Sequence, residues 1–352
     1  MLTPTCASIF PHIEGRYRIL IFNPETDYAL AAGRTRYNPP AKIKDMRRRK
    51  FLDMGVLASP GDAILLLDDI SGMPPEVSES IRALEERGVS IIELGEAAAL
   101  IKERGEKGLE AVITPWGWNH SLLHTLLDTG IDRSLLKSEI DIENLRHLSH
   151  RRTTIGFNNI LANLLPDIGI IPAEEFLSVE DTLDFISENG GAFLKAPWSS
   201  SGRGVILSHR MKGRKLEEWI GGCITRQGSV MAERIHAKTG DFATEWMIAG
   251  GKADFLGLSM FCTSPEGRYL GNEKRSLHDI SERLKQLSPQ WSDRVIEAQR
   301  VALEQIIAPG YEGPAGIDML TTEEGSLVPC VEINLRLTMG MMNMQPNSNT
   351  NG

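Results

Sequence analysis

Between Arg18 and Trp118 the chain alternates short apolar runs with segments in which apolar residues recur at helical spacing. The runs 19–22, 63–67, 89–94 and 111–114 are short and apolar, which predicts buried strands. The helix-period segments between them predict crossover connections, so the pattern as a whole predicts a parallel, doubly wound sheet. One of these helices is well marked: Pro74 and Pro75 stand at its start, Val77, Ile81 and Leu84 share a face, and Gly88 follows its end.

Past this region the pattern changes. A long polar helical stretch is predicted from about Asp141 to Leu165; it carries the basic knot His150, Arg151, Arg152 and stops before Pro166. A first domain is expected to span residues 1–145. Ser178 with Asp181 three residues on predicts a helix start, and strands follow up to about Cys262. An amphipathic helix is predicted from Ser292 to Ile307, then two strands, Ala315 to Leu320 and Val328 to Arg336. This half reads as α+β. The tail, residues 341–352, is rich in Asn, Ser and Met and is expected to be disordered.

Composition narrows the classes. The 352 residues include 38 basic and 47 acidic side chains, a formal net charge of −9, which argues against broad binding to nucleic acid or to an anionic membrane. The four cysteines, Cys6, Cys223, Cys262 and Cys330, form no Cys-x-x-Cys pair, so reduced thiols are expected rather than a zinc site or a disulfide framework. No apolar run approaches the length of a membrane span and no basic-then-apolar leader opens the chain, so a soluble, cytoplasmic protein is expected.

The last two predicted strands carry the most chemistry. Asp318 and Glu332 lie equally far from Gly325, the natural tip of the turn, so a symmetric hairpin makes them cross-strand neighbours. Two facing carboxylates repel unless a positive charge sits between them, and a divalent cation is the economical candidate. Strand period two adds Asn334 and Arg336 to the face of Glu332. Oxygen ligands without His or Cys favour magnesium, with manganese as the substitute. The competing reading is a solvated hairpin face, which leaves Asn334 unexplained in mid-strand.

A second constellation runs from Phe193 to Val205: a strand ending in Lys195, the loop Ser199, Ser200, Ser201, Gly202, Arg203, Gly204, and another strand. Such a loop can close over phosphates while Lys195 supplies a point charge. It is not a Walker A loop, because Gly-Lys-Ser/Thr and a following helix are both missing, and taken alone it is as compatible with a surface turn. A third piece, Val230, Met231, Ala232, Glu233, Arg234, Ile235, is an apolar strand whose edge could meet an adenine ring, with a carboxylate following at Asp241.

Taken in this order, Lys195 before the Ser-Ser-Ser-Gly-Arg-Gly loop, Met-Ala-Glu-Arg-Ile at 231–235, and Asp318 ahead of Glu-Ile-Asn-Leu-Arg at 332–336, the sequence resembles the ATP-grasp superfamily. The resemblance implies an N-terminal parallel-sheet (Rossmann-like) α/β domain of the kind that precedes ATP-grasp folds, then two α+β subdomains at 146–230 and 231–340 that hold ATP between them. It implies that Lys195 and Arg151 meet the α and β phosphates, that Ser200, Ser201, Gly202 and Gly204 form the flap, and that Glu233 with the backbone of Arg234 and Ile235 meets adenine. Asp241, or Glu245 in its place, would take the ribose. Asp318, Glu332 and Asn334 would hold magnesium, and Arg336 the transferred phosphoryl group.

The activity implied is an ATP- and Mg-dependent ligase of carboxylate-amine type, which activates a small-molecule carboxylate as an acylphosphate for an amine co-substrate, in a chain compatible with a homodimer. A small-molecule kinase using the same cleft is one alternative. A non-catalytic nucleotide-binding protein is another, because the sequence ends soon after the Glu-x-Asn motif. Substrate recognition is expected to involve the loops Asn23 to Asp27 and Pro115 to His120, at the carboxyl ends of the first and fourth strands.

Overall fold

The computed structural model describes residues 13–199, 204–211, 213–264 and 267–344. These fall into two compact units: residues 13–143 with Arg336–Thr338, and the described residues of 144–335 with 339–344.

In the first unit, β1 (Arg16–Ile21), β2 (Ala63–Leu66), β3 (Ser90–Glu93) and β4 (Glu110–Pro115) form a fully parallel sheet in the order β3-β2-β1-β4. Its strands coincide with the four apolar runs to within a few residues. Ile19, Ile21, Leu65 and Ile113 join Leu123 and Leu126 of the helix His120–Asp128 in one core. The helix Pro75–Glu86 starts with proline in its first turn and ends where Gly88 adopts φ +79°, as the sequence predicts.

The second unit contains two antiparallel sheets. One orders β5 (Glu174–Phe176), β6 (Phe193–Lys195), β7 (Val205–Leu207) and β8 (Val230–Glu233) as β5-β8-β6-β7. The helices Val179–Glu188 and Arg214–Gln227 back it through Phe185, Leu216 and Ile220, and Ser178 caps the former by accepting from the Asp181 N–H. The other orders β9 (Lys238–Ala249), β10 (Lys252–Thr263), β11 (Tyr269–Asn272), β12 (Gly313–Thr322) and β13 (Leu327–Asn334) as β11-β10-β9-β12-β13. The predicted helix at 292–307 is Asp293–Ala302, extended by a π turn over Leu303–Ile307.

Three expectations need correction. The stretch 141–165 is two helices, Glu139–Leu148 and Thr153–Leu164, because His150 and Arg151 between them are buried and Arg151 is bonded to distant parts of the fold. β13 ends at Asn334 rather than Arg336, and Leu337, fully buried, donates its N–H to the carbonyl of Trp116 in the first unit. The tail begins ordered: Met339–Asn343 is a short helix that buries Met341 and Met342, so only residues 345–352 of that expectation lie outside the described part. Among the described residues no helix is long and apolar enough to cross a membrane.

Candidate functional site

The turn Ser149–Arg152 between the two helices is where the site begins. Arg151, 5% exposed, donates its backbone N–H to Pro197 O and Nη1 to Ala196 O (2.6 Å) and Ser199 Oγ (2.8 Å). Its Nη2 reaches Glu332 Oε1 on β13 at 2.6 Å. One guanidinium thus ties the strand before the Ser/Gly segment to the strand that carries the predicted metal ligands. A planar guanidinium spreads its five donors in fixed directions, so it serves a backbone carbonyl, a hydroxyl and a carboxylate that lie on different sides of it.

Lys195 makes the second tie. The end of β6 buries it, and Nζ donates to Glu233 Oε1 on β8 at 2.7 Å and to Val331 O on β13 at 3.3 Å. Both pairs are largely desolvated, with side-chain exposures of 5% and 26% for Arg151–Glu332 and 9% and 19% for Lys195–Glu233. Removing one partner therefore strands a charge.

Asp318 and Glu332 are cross-strand partners, as the sequence predicts, and Gly325 occupies the turn with φ +78°. The hairpin is not symmetric throughout. The pairs nearest the turn, Leu320–Val328 and Thr321–Leu327, centre on Glu324, and an irregularity between Asp318 and Leu320 shifts the centre to Gly325. Asn334 faces Gly316, and all three predicted ligands are half-buried. Among the described residues no group of three or more His, Cys, Asp or Glu side chains stands ready for a metal ion. The predicted set offers two carboxylates and an amide, so a magnesium ion would need phosphate oxygens and water to complete it, its usual condition.

Cys330 lies between these groups. Burial, reinforced by the charges of Glu233 and Asp318, holds its thiol well above the ordinary range, against the pull of Lys195. A thiol kept protonated is a poor nucleophile, so the cluster is built for charge placement rather than thiolate chemistry.

Arg234 and Ile235 follow β8 and are exposed. Asp241, on β9, accepts from Lys238 Nζ (2.7 Å) and Thr263 Oγ1 (2.8 Å). Its competitor Glu245 is fully buried beneath the helix Met339–Asn343 and accepts from Ser259 Oγ at 2.8 Å. Gly204 packs against Ala196 and Ser199, where a Cβ would come within 2.4 Å of the Ser199 Cβ. Ser200, Ser201 and Gly202 lie outside the described residues. Arg336, beyond the end of β13, forms a two-nitrogen pair with Asp27 in the first unit, with Nε and Nη2 each 3.0 Å from Oδ2.

In the first unit the two expected recognition loops are locked to each other. Asn23 is 1% exposed and exchanges both amide bonds with Gly117, while Asn119 caps the helix His120–Asp128 through the Leu122 N–H. Gly117 is required there because a Cβ would meet Thr26 at 2.7 Å.

Three residues around the second unit's cluster have roles that the sequence did not assign. His150 and Trp198 meet edge to face at 4.4 Å, and Trp198 Nε1 donates to Arg146 O at 3.0 Å, anchoring the chain just before the Ser/Gly segment. Asn158, in the middle of the helix Thr153–Leu164, is buried against β13. For Asn158 the available signal was polarity at a helix position where the period calls for an apolar residue.

No known protein-family profile matches the sequence. Among curated proteins, the [butirosin acyl-carrier protein]--L-glutamate ligase of Niallia circulans is 28% identical over 148 residues, 41% of this chain and 32% of that protein. The crystal structure of a biotin carboxylase–β-γ-ATP complex from Campylobacter jejuni aligns with a TM-score of 0.51 at 17% identity, over 91% of this chain and 65% of that one. D-alanyl-alanine synthetase A from Vibrio cholerae aligns with a TM-score of 0.45 at 12% identity, over 95% and 93%. The chain has an ATP-grasp fold. It spans less than two thirds of the length of both the curated relative and the biotin carboxylase.

Proposed function

We propose that this chain is an ATP- and magnesium-dependent ligase that activates a carboxylate as an acylphosphate for attack by an amine. The observation that carries the reading is the pair of ties Arg151–Glu332 and Lys195–Glu233, which gather two cations and two carboxylates from three strands and a helix turn, with Asp318 directly opposite Glu332. The ATP-grasp fold and the partial likeness to a ligase that joins L-glutamate to a carrier protein support it.

The residues fit a nucleotide and its cation. Asp318, Glu332 and Asn334 supply hard oxygen donors for magnesium, or manganese in its place. The bound ion would neutralise phosphate charge during in-line transfer. Arg151 and Lys195 would exchange their carboxylate partners for phosphate oxygens, which keeps the charge of the cluster balanced with the ligand in place. Glu233 and the backbone after it would meet the base, Asp241 the ribose, and the segment Ser200–Gly204 the outer phosphates. Arg336 would meet the transferred phosphoryl group after leaving Asp27. No side chain forms a covalent bond; the protein positions reactants and opposes spreading negative charge, where one preorganised charge is worth about 100-fold or more in rate.

The test is ADP release from MgATP across a panel of amino-acid carboxylates, L-glutamate included, and of amines, with hydroxylamine as trap. A ligase gives hydroxamate from the activated carboxylate, and Lys195→Met should lower both ADP release and hydroxamate by at least about 100-fold. A stable phosphoproduct that hydroxylamine leaves intact would replace the ligase with a kinase. An unchanged rate in Lys195→Met would remove Lys195 from the chemistry.

A further inference from the structure

Asn158 sits in the helix Thr153–Leu164 at 4% exposure, and its amide is oriented by one hydrogen bond: Nδ2 donates to the backbone carbonyl of Cys330 at 3.0 Å. A carbonyl can only accept, so the nitrogen must face it and Oδ1 must face away. Among the described residues this Oδ1 is buried without a partner. A buried acceptor left unsatisfied is costly enough that it calls for a ligand or a water.

The cavity beside it supplies the place. Asn158, Ala173 and Cys330 form its buried inner end, while Ile171, Arg234 and His236 stand exposed at its mouth, with Glu233 along one wall. Its volume is about 20 Å³, enough for one water. A flat ring enters only if a wall yields. Ile171 to Ala173 belong to a stretch without helix or strand leading into β5, whereas the opposite wall is the central part of β13. Whatever penetrates to the inner end comes up against Asn158, whose Oδ1 is the amide atom left without a partner among the described residues.

We propose that Asn158 is the base-selecting residue of the nucleotide cleft, its Oδ1 accepting from the exocyclic amino group of adenine. This rests on the nucleotide reading given above. At that ring position adenine presents a donor and a 6-keto purine presents an acceptor. Two acceptors face to face lose the hydrogen bond and repel, so guanine and hypoxanthine nucleotides are disfavoured by geometry alone. The anchoring bond to Cys330 prevents the amide from rotating to offer its nitrogen instead.

The experiment is equilibrium binding of the magnesium complexes of ADP, inosine diphosphate and purine riboside diphosphate, which carry an amino group, a keto group and hydrogen at position 6. The full chain should bind purine riboside diphosphate about tenfold more weakly than ADP, and inosine diphosphate more weakly still. In Asn158→Leu, which keeps the volume and removes the acceptor, the gap between ADP and purine riboside diphosphate should shrink to under about twofold. Asn158→Ala, which also removes the acceptor, serves if a thermal melt shows that the leucine variant does not fold. A gap below twofold in the parent protein, or a gap that survives either substitution, overturns the role of Asn158 while leaving the nucleotide cleft in place. If ADP itself does not bind saturably, the nucleotide reading falls, and this inference with it.

Discussion

At His150 burial and neighbouring charge act in the same direction. The ring is 2% exposed, and burial, joined by the positive charges of Arg152, Arg151 and Arg146, pushes its pKa down to about 3. The ring is therefore neutral in the folded protein at pH values where the unfolded chain would protonate it. Protons then bind preferentially to the unfolded state below about pH 6.5, so this stability is present at neutral pH and is lost as the pH falls. Between pH 7 and pH 5 the loss from His150 should amount to about 2 kcal/mol. Urea unfolding at a series of pH values checks it: His150→Gln, uncharged throughout, should flatten the slope, and an unchanged slope would contradict the assignment. The same scale shows what residue patterns carry. The facing of Asp318 and Glu332 was legible because turn position sets strand register. The engagement of Glu332 by Arg151, 181 residues earlier, was not, because only packing brings those positions together.

Elements were legible where they satisfy themselves locally. The strands β1 to β4 and the helix Pro75–Glu86 match their patterns because apolar period and end signals agree there. The region 141–165 did not, since helical propensity runs through Ser149–Arg152 while tertiary bonds to Pro197, Ala196 and Glu332 require a turn. The helix Met339–Asn343 is a similar case. Polar tail composition concealed that it closes over Glu245, and it can do so only because residue 340 is glycine: a Cβ there would lie 1.9 Å from Glu245 Oε1 and 2.4 Å from Ser259 Oγ. Gly340→Ala should destabilise the second unit by about 1–3 kcal/mol, read as a lower urea midpoint with an unchanged m value. Retention of the parental midpoint would mean that this helix is not packed as described.

For the whole molecule, the order of the chain is not the order of its units. The division falls inside the helix Glu139–Leu148, and Arg336–Thr338 returns to the first unit, bringing a fully buried Leu337 and the partner of Asp27. Leu337→Ala should cost about 2–4 kcal/mol, the range for a leucine emptied from a packed site, and calorimetry should show it in the transition that contains the parallel sheet. A change confined to any other transition would contradict the assignment of this segment. The sequence by itself determined the parallel sheet and the cross-strand carboxylates, because periodicity, turn position and local spacing are encoded within short windows. Tertiary structure alone decided the partners of Arg151 and Lys195, the burial of Glu245 and the orientation of Asn158. Each of these depends on which distant backbone carbonyl or carboxylate is within hydrogen-bond reach, a property of the folded chain that no local window contains.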